Sequence, residues 1–214
     1  MIDEGVDVSH PDLRDNVWKN PGVVPANGVD DDGNGYVDDV NGYDFANDDA
    51  SVYDPDPING TGDEHGTHVA GTIAAEGNNG VGITGVNWQA KVMALKFLGP
   101  GGGSTLDAVE AIDYAIANGA DISNNSWGYV GGPSRSLQEA ITRADNAGHL
   151  FVAAAGNGGR TARATTTIRL PPTRTTPPRT RTPTSSPSLP RTTRTPWLRS
   201  RTSGRAPWTW PPPG

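Results

Sequence analysis

KVMALKFL (residues 91–98) begins the run of segments that specifies the architecture. It is followed along the chain by TLDAVEAIDYAIANG (105–119), DISNNSW (121–127), SRSLQEAITRADNAG (134–148) and LFVAAAG (150–156). Short apolar segments alternate with segments whose apolar residues recur at helical spacing. The alternation is typical of βαβ units, and unbroken apolar strands are typical of sheets covered on both faces. The sequence therefore predicts an α/β fold with a mostly parallel sheet.

The two helical segments carry the residues expected at helix ends. Ser104 or Thr105 can cap the first helix and Ser134 the second, because a hydroxyl accepts hydrogen bonds from the free N–H groups of a first turn. Gly119 and Gly148 can close the C-termini, where a left-handed residue is common. These end signals strengthen the prediction of two helices.

Three polar residues follow predicted strands. Asp3 comes after Met1-Ile2, Ser126 after DISNN and Asn157 after FVAAAG. Ligands of open parallel sheets gather at the carboxyl ends of the strands. These positions are therefore the first candidates for a functional site.

The charge distribution divides the chain into two unlike segments. Residues 1–159 hold all 24 acidic residues against six basic ones, a net charge of −18, whereas residues 160–214 hold 11 Arg and no acidic residue. We expect a folded acidic domain over residues 1–159 and a disordered, low-complexity Arg/Thr/Pro-rich tail over residues 160–214.

Composition excludes several classes of function. The chain has no cysteine, so disulfides and thiol catalysis are excluded. No apolar run approaches the length of a membrane span, and no basic segment followed by an apolar stretch indicates a signal peptide. The acidic domain lacks the excess of basic residues that binding to nucleic acid requires.

Two motifs indicate acid–base chemistry. Asp3 lies in IDEGVDVSHPDL (2–13) and His65 in DEHGTHVAGT (63–72), where small residues would let a helix approach its neighbour closely. In a catalytic triad the histidine takes a serine proton, and a buried carboxylate fixes its tautomer and stabilises the imidazolium. A turn aspartate and a structural histidine would explain each residue alone, but the joint context favours an Asp–His pair.

The chain resembles the subtilisin-like serine endopeptidases (subtilases, peptidase family S8) over residues 1 to about 159. HGTHVAGT (65–72) matches the family's histidine motif in full, while IDEG (2–5) has glutamate where the aspartate motif usually has threonine. The resemblance implies a three-layer α/β fold with a mostly parallel sheet, incomplete at the C-terminus. It also implies hydrolysis of polypeptide substrates by an Asp/His/Ser triad, an extracellular or cell-envelope location and a monomeric state.

The resemblance extends to the substrate-binding segments. LGPGGGS (98–104) and NNSWG (124–128) are similar to the strands that clamp an extended peptide, and AAAGN (153–157) is similar to the pocket floor and the oxyanion asparagine. Asp3, His65 and Asn157 are the implied catalytic residues. The implied substrate-binding residues are Gly102, Gly103, Ser126, Trp127, Gly128, Ala154 and Gly156.

Calcium is the metal that the sequence favours. DDDGNGYVDDVN (30–41) spaces oxygen donors as an EF-hand loop does, although Asn41 stands where that loop has a bidentate glutamate. The predicted ligands are Asp30, Asp32, Asn34, the carbonyl of Tyr36, and Asp38. A solvated acidic turn is the alternative interpretation.

A second calcium site is implied only by the family resemblance. Asp12, Asn79 and the carbonyls of Val81 and Ile83 match the ligand positions of the family's tight site. Without that resemblance, the segment Asn78-Asn79-Gly80 would be interpreted simply as a turn.

His68 lies three residues after His65, and an HxxH pair can bind a metal ion. Gly66 and Thr67 stand between the two histidines, so the catalytic glutamate of the HExxH metalloprotease motif is missing. We therefore expect His68 to be a structural residue packed under the helix rather than a zinc ligand of a metallohydrolase.

The tail suggests an interrupted reading frame. Residues 160–214 contain 15 Thr, 12 Pro and 11 Arg, and reading one base earlier turns ACN threonine codons into NAC codons for Asp, Asn, His or Tyr. Shifted in this way, residues 195–214 (TPWLRSRTSGRAPWTWPPPG) permit DALASFSNFGPRTVDLAAPG, which resembles the subtilase segment before the nucleophile. We therefore favour a frameshift near Gly158–Arg160 over a natural basic tail.

No serine of the chain has the GTSMA context of the family's nucleophile, and Ser203 in RTSG lies in the shifted segment. We expect the chain to be a truncated, inactive form of a protease that is aggregation-prone or partly molten. The alternative is a non-catalytic calcium-binding module whose basic tail binds an anionic surface.

Overall fold

The computed structural model describes residues 1–55, 62–128 and 132–157, so the predicted tail at 160–214 lies outside the described residues. The elements within these ranges are β1 (Ile2–Asp3), a 3-10 helix (Arg14–Asn16), β2 (Gly42–Asp44), α1 (Glu64–Ala74), β3 (Ala94–Lys96), α2 (Thr105–Ala117), β4 (Ile122–Asn125), α3 (Arg135–Ala147) and β5 (Leu150–Ala153). No helix in these ranges is long and apolar enough to cross a membrane.

The five strands form one parallel sheet in the order β2-β3-β1-β4-β5. β1 is the central strand, with β3 on one side and β4 on the other. The predicted parallel α/β fold is therefore confirmed. Because all strands run in the same direction, their carboxyl ends lie at the same end of the sheet. Asp3, Lys96 and Asn125 are the last residues of three neighbouring strands at this end.

Helices cover the two faces of the sheet separately. Ile2 and Leu95 pack with residues of α2 and α3 in the larger core cluster, which includes Ile112 and Ile141. Ala94, whose side chain points to the opposite face from Leu95, packs with α1 and the loops near it in a second cluster. The architecture therefore has three layers, with α1 on one face of the sheet and α2 and α3 on the other.

The predicted helix ends are confirmed at both long helices. Ser104 caps α2 in a capping box with Asp107, so Thr105 is the first helical residue rather than the cap. Ser134 accepts a hydrogen bond from the Leu137 N–H, and Gly148 ends α3 in the left-handed conformation. These local interactions fix where α2 and α3 begin and end.

Candidate active site

Asp3 and His65 are in direct contact. Asp3 is the last residue of the central strand and is 1% exposed, whereas His65 is the second residue of α1 and its side chain is half exposed. The distance from His65 Nδ1 to Asp3 Oδ1 is 2.8 Å. Asp3 Oδ1 also accepts the backbone N–H of Glu4 at 2.9 Å, which fixes the carboxylate. A buried carboxylate thus holds one ring nitrogen, and Nε2 is the nitrogen that remains for proton transfer.

A glycine permits the close approach of α1 to β1. A Cβ on Gly66 would lie 2.0 Å from the Gly5 carbonyl oxygen and 3.3 Å from the Asp3 Cβ. Any larger residue would push the helix away from the strand, because real Cβ atoms do not come within 3.0 Å of backbone oxygen. The small residues after His65 therefore let α1 pack close enough for the Asp3–His65 contact.

Glu4 supplies the helix cap that Asp63 does not. Asp63 occupies the N-cap position of α1 but makes no side-chain capping hydrogen bond. Glu4 Oε1 instead accepts the backbone N–H of His65 at 2.6 Å. A carboxylate at a helix N-terminus is favourable because it meets free N–H groups and the positive end of the helix dipole. Sequence reasoning noted Glu4 as a departure from the family motif but did not find this role.

A buried lysine joins three elements beneath the Asp3–His65 pair. Lys96, at the end of β3, is 1% exposed, and its ammonium lies 2.8 Å from both carboxylate oxygens of Asp63. It also donates to the carbonyls of Glu4 and Leu98. Burial raises the pKa of Asp63, and the hydrogen bond from Lys96 opposes that rise. The only sequence signal for Lys96 was a charge inside the apolar run KVMALKFL.

The predicted substrate-binding residues follow the ends of β3, β4 and β5. Gly99 and Gly102 exchange backbone hydrogen bonds in the loop after β3, and Gly103 packs against the Phe97 carbonyl so closely that a Cβ would lie 2.3 Å from its oxygen. Ser126 and Trp127 follow β4, where Asn124 Nδ2 donates to Ser126 Oγ at 2.9 Å. The Trp127 ring packs edge-on against Phe97 at 4.8 Å.

The segment after β5 carries the remaining predicted residues. Ala154 donates its N–H to the Asn125 carbonyl, and Gly156 has a positive φ of 90°. Asn157 and Gly128 are exposed. The oxyanion role of Asn157 stays a prediction, because an oxyanion donor acts on the oxygen of a bound substrate.

In the acidic loop of the first predicted calcium site, Asp39 rather than Asp38 shares the Asn34 amide with Asp32, and the assignment of Asp38 as a ligand stays a prediction. Asp30 accepts backbone N–H groups from residues 33, 34 and 35, which hold its pKa below the usual range; Gly35 is the strongest of these donors. The Asn34 amide donates to both Asp32 and Asp39, and Asp39 is fully buried. The carboxylate of Asp38 instead accepts the N–H groups of residues 27 and 28.

The acidic loop is anchored to the core through aromatic residues. The ring of Tyr36 packs edge-on against Tyr43, Phe45 and Tyr114. The Tyr114 hydroxyl donates to Asp39, and burial raises the pKa of Tyr114 well above its usual value. Carboxylate and amide oxygens at Asp30, Asp32, Asn34 and Asp39 fit the oxygen preference of Ca²⁺, and calcium binding itself stays a prediction.

The residues of the second predicted calcium site come together. Asp12 is 3% exposed and accepts the Asn79 amide at 2.7 Å and the Ile83 N–H at 2.9 Å. These hydrogen bonds lower the pKa of Asp12, the one from Asn79 most strongly. Gly82 has a φ of 52°, and a Cβ there would lie 2.3 Å from Asp12 Oδ2. Asp12 and Asn79 thus meet the loop of Val81 and Ile83, and their oxygen donors also fit Ca²⁺.

The expectation that His68 is packed under the helix is wrong. His68 is exposed and lies with Glu4, His10 and His65 along a cavity of about 860 Å³. Within the described part of the chain, His68 belongs to no group of three or more metal-ligating side chains. The HxxH alternative therefore gains no support.

A three-layer parallel sheet whose central strand ends in an aspartate bonded to a helix-start histidine has the acid–base arrangement of a serine hydrolase. The family model described as the subtilase family matches residues 1–183 and so extends past residue 159. The chain belongs to the subtilase family.

Curated relatives agree with this family. Subtilisin-like protease 1 of Plasmodium vivax is 38% identical over 159 residues, which are 73% of this chain and 24% of the relative. Thermitase of Thermoactinomyces vulgaris is 37% identical over 163 residues, 76% of this chain and 48% of the relative. The chain therefore spans about a quarter to a half of the length of these relatives.

Solved structures show the same fold. A protease of Pseudoalteromonas arctica superposes with a TM-score of 0.51 at 33% identity, covering 73% of this chain and 48% of the other. Sphericase superposes with a TM-score of 0.50 at 31% identity, covering 74% of this chain and 45% of the other. The sheet described here thus corresponds to part of each of these larger structures.

Proposed function

We propose that the gene specifies a subtilisin-like serine endopeptidase, with Asp3, His65 and Asn157 in its catalytic centre, and that the 214-residue chain is an inactive product of that gene. The observation that carries the proposal is the 2.8 Å contact between His65 Nδ1 and Asp3 Oδ1. With its hydrogen on Nδ1, the ring donates to Asp3 and presents Nε2 to a nucleophile. His65 then accepts the proton of a serine hydroxyl and later gives it to the leaving amine, while Asn157 donates to the oxyanion.

The proposed inactivity rests on the surroundings of His65 among the described residues. In the described part of the chain, the hydrogen bond of the His65 ring is the one with Asp3, and Ser9, Ser104, Ser123 and Ser126 make hydrogen bonds to other residues. The sequence contains no GTSMA segment. We propose that a frameshift near Gly158–Arg160 replaced the segment leading to the serine, which the composition of residues 160–214 supports.

The remaining functional assignments follow from the same proposal. Polypeptides are the substrate class, Ca²⁺ binds at the Asp12 loop and the Asp30–Asp39 loop, and the mature enzyme acts outside the cell or in its envelope. The oxygen-only donor sets of the two loops support calcium. Family membership gives no support to the alternative of a non-catalytic module with a basic tail.

Hydrolysis of a peptide library tests the proposal. Two proteins are compared in calcium-containing buffer: the 214-residue chain, and the product of the coding sequence restored by one base near codon 159 and read to its natural stop. We expect cleavage only by the restored protein. Replacing Asp3 by asparagine should lower its kcat by about 10⁴-fold, the loss seen when a triad aspartate is replaced in this way, because the histidine then adopts the wrong tautomer.

The control variant in the restored protein is Asp15→Asn, an exposed carboxylate outside the site. It should leave kcat unchanged. The proposal fails if the 214-residue chain cleaves peptides in a His65-dependent manner, or if the restored protein cleaves them equally well without His65.

A further inference from the structure

We propose that Asp3, Glu4 and His65 form a binding site for a zinc ion. Each of the three presents one ligand atom, and these atoms lie within 4.8 Å of one another. The group combines a buried carboxylate at the end of β1, a half-exposed carboxylate beside it and an exposed imidazole at the start of α1. The proposal does not rest on proteolytic activity, because it concerns metal binding by residues that the 214-residue chain contains.

An unsatisfied oxygen points independently to a ligand. Asp3 is 1% exposed, and its Oδ2 is buried without a hydrogen-bond donor among the described residues. Its Oδ1 accepts from the Glu4 N–H and contacts His65 Nδ1. A buried carboxylate oxygen without a partner is costly, and a cation bound by this carboxylate would remove that cost.

The donor set selects zinc over calcium. One imidazole nitrogen and two carboxylate oxygens are common Zn²⁺ ligands, whereas Ca²⁺ prefers oxygen donors throughout. Bonds of about 2.0–2.2 Å in tetrahedral geometry require ligand atoms about 3.3–3.6 Å apart. A bound zinc ion would replace the 2.8 Å hydrogen bond between His65 Nδ1 and Asp3 Oδ1, and Glu4 would release the backbone N–H of His65, which it holds at 2.6 Å.

The site is open to solvent. Glu4 and His65 line the cavity of about 860 Å³ that also contains His10 and His68, so hydrated metal can reach these two ligands and water can complete its coordination. Binding at Nδ1 requires the neutral tautomer whose hydrogen is on Nε2, so the Nδ1 hydrogen moves to Nε2 by exchange with solvent. Zinc would therefore compete with the hydrogen bond that orients His65 and would block the acid–base pair.

Calorimetric titration of the 214-residue chain with zinc chloride tests the site. Saturating calcium is included to occupy the Asp12 loop and the Asp30–Asp39 loop, whose donors are all oxygen atoms, so that zinc does not bind there. We expect one equivalent of zinc to bind and to perturb the His65 ring signals in NMR spectra. Glu4→Gln should weaken binding at least as much as the loss of an outer-shell partner does, by about 10- to 100-fold.

Two control variants separate this site from its neighbours. Glu64 is an exposed carboxylate next to His65 but outside the cluster, so Glu64→Gln should leave the affinity unchanged. His68→Asn removes the second histidine of the HxxH pair and should also leave it unchanged. If circular dichroism shows that Glu4→Gln is unfolded, His65→Asn, at a half-exposed side chain, replaces it.

The proposal is overturned if no equivalent of zinc binds, if Glu64→Gln weakens binding as much as Glu4→Gln, or if only His68→Asn abolishes binding. None of these results bears on the protease proposal, whose test measures peptide cleavage by the restored protein.

Discussion

At the scale of single residues, Lys96 places a buried positive charge close to the site. Its ammonium is almost fully buried, and it is neutralised by Asp63 while also donating to the carbonyls of Glu4 and Leu98. Removing one partner of a buried ion pair leaves the other as an uncompensated charge. Lys96 therefore ties β3 to the end of β1 and the start of α1, the two places that hold Asp3 and His65.

Replacing Lys96 by methionine should lower the free energy of unfolding by about 3–5 kcal/mol at pH 7, because Asp63 becomes a buried carboxylate without its cation. Burial already raises the pKa of Asp63, and the variant removes the hydrogen bond that opposes this rise. A carboxyl whose folded pKa is raised destabilises the fold at high pH and less so as pH falls through that pKa. The deficit should therefore shrink between pH 7 and pH 4 in urea denaturation of the restored protein, in which we expect cooperative unfolding.

The matched control is Lys91→Met, because Lys91 is exposed and its ammonium donates to the carbonyl of Asp15. This substitution should change the free energy of unfolding by no more than about 0.5 kcal/mol. An equal loss in both variants, or a deficit for Lys96→Met that does not depend on pH, would contradict the role assigned to the Lys96–Asp63 pair.

At the scale of secondary-structure elements, the packing of α1 on β1 depends on which face of the helix each glycine occupies. Gly66 faces the strand, where an added Cβ would lie 2.0 Å from the Gly5 carbonyl oxygen. Gly71 is on the same helix, and an added Cβ there would meet only Ile83 Cδ1 at 3.9 Å. The two positions have the same helix propensity but opposite steric consequences.

Gly66→Ala should destabilise the chain by about 1–3 kcal/mol, since overpacking outweighs the gain in helix propensity. It should also separate His65 from Asp3. Gly71→Ala should stabilise the chain by up to about 1 kcal/mol, because alanine favours the helix and meets only ordinary contacts. Urea denaturation of both variants of the restored protein measures the difference, and a stabilising Gly66→Ala would show that α1 does not pack on β1 in this way.

The sequence predicts the elements whose signals are local. α2 and α3 could be found because Ser104, Ser134 and Gly148 sit next to the residues they cap. The contact between Asp3 and His65 could be inferred only from motif resemblance, since 62 positions separate the two residues. The pairing of Lys96 with Asp63 was missed for the same reason, as it joins the end of one strand to the start of a helix 33 positions away.

The acidic loop shows a different limit of sequence reasoning. EF-hand spacing favoured Asp38, but the backbone at Asp38 has a positive φ of 55°, and its carboxylate accepts N–H groups on the far side of the loop. Asp39 enters the core instead and meets Tyr114 from α2. A ligand pattern read along the chain cannot include a partner that only tertiary packing supplies.

At the scale of the whole molecule, one apolar area of the sheet stays exposed. Ile122 and Leu150 are paired across β4 and β5 and are each 58% exposed, and Val152 on the same face is 44% exposed. Phe151, on the opposite face, packs against the core cluster that contains residues of α2 and α3. Neighbouring exposed apolar side chains of this kind promote association.

Replacing Ile122, Leu150 and Val152 together by threonine should reduce the binding of an apolar fluorescent dye and the self-association seen in sedimentation. Threonine is favoured in strands, keeps the β-branched shape of isoleucine and valine, and removes apolar surface at all three positions. Val86→Thr is the control, since Val86 is 89% exposed and lies outside this area. If the control lowers dye binding as much as the triple variant, the exposed sheet face is not the source of association.

The sequence of the coding DNA across codons 158–160 tests the central claim most directly. An interrupted subtilase predicts one extra or missing base at this point and, in the corrected frame, a downstream segment that encodes GTSMA. An intact genomic frame that runs without a shift through codon 160 and ends after Gly214 would contradict the claim. In that case Asp3 and His65 would belong to a chain that never carried their nucleophile.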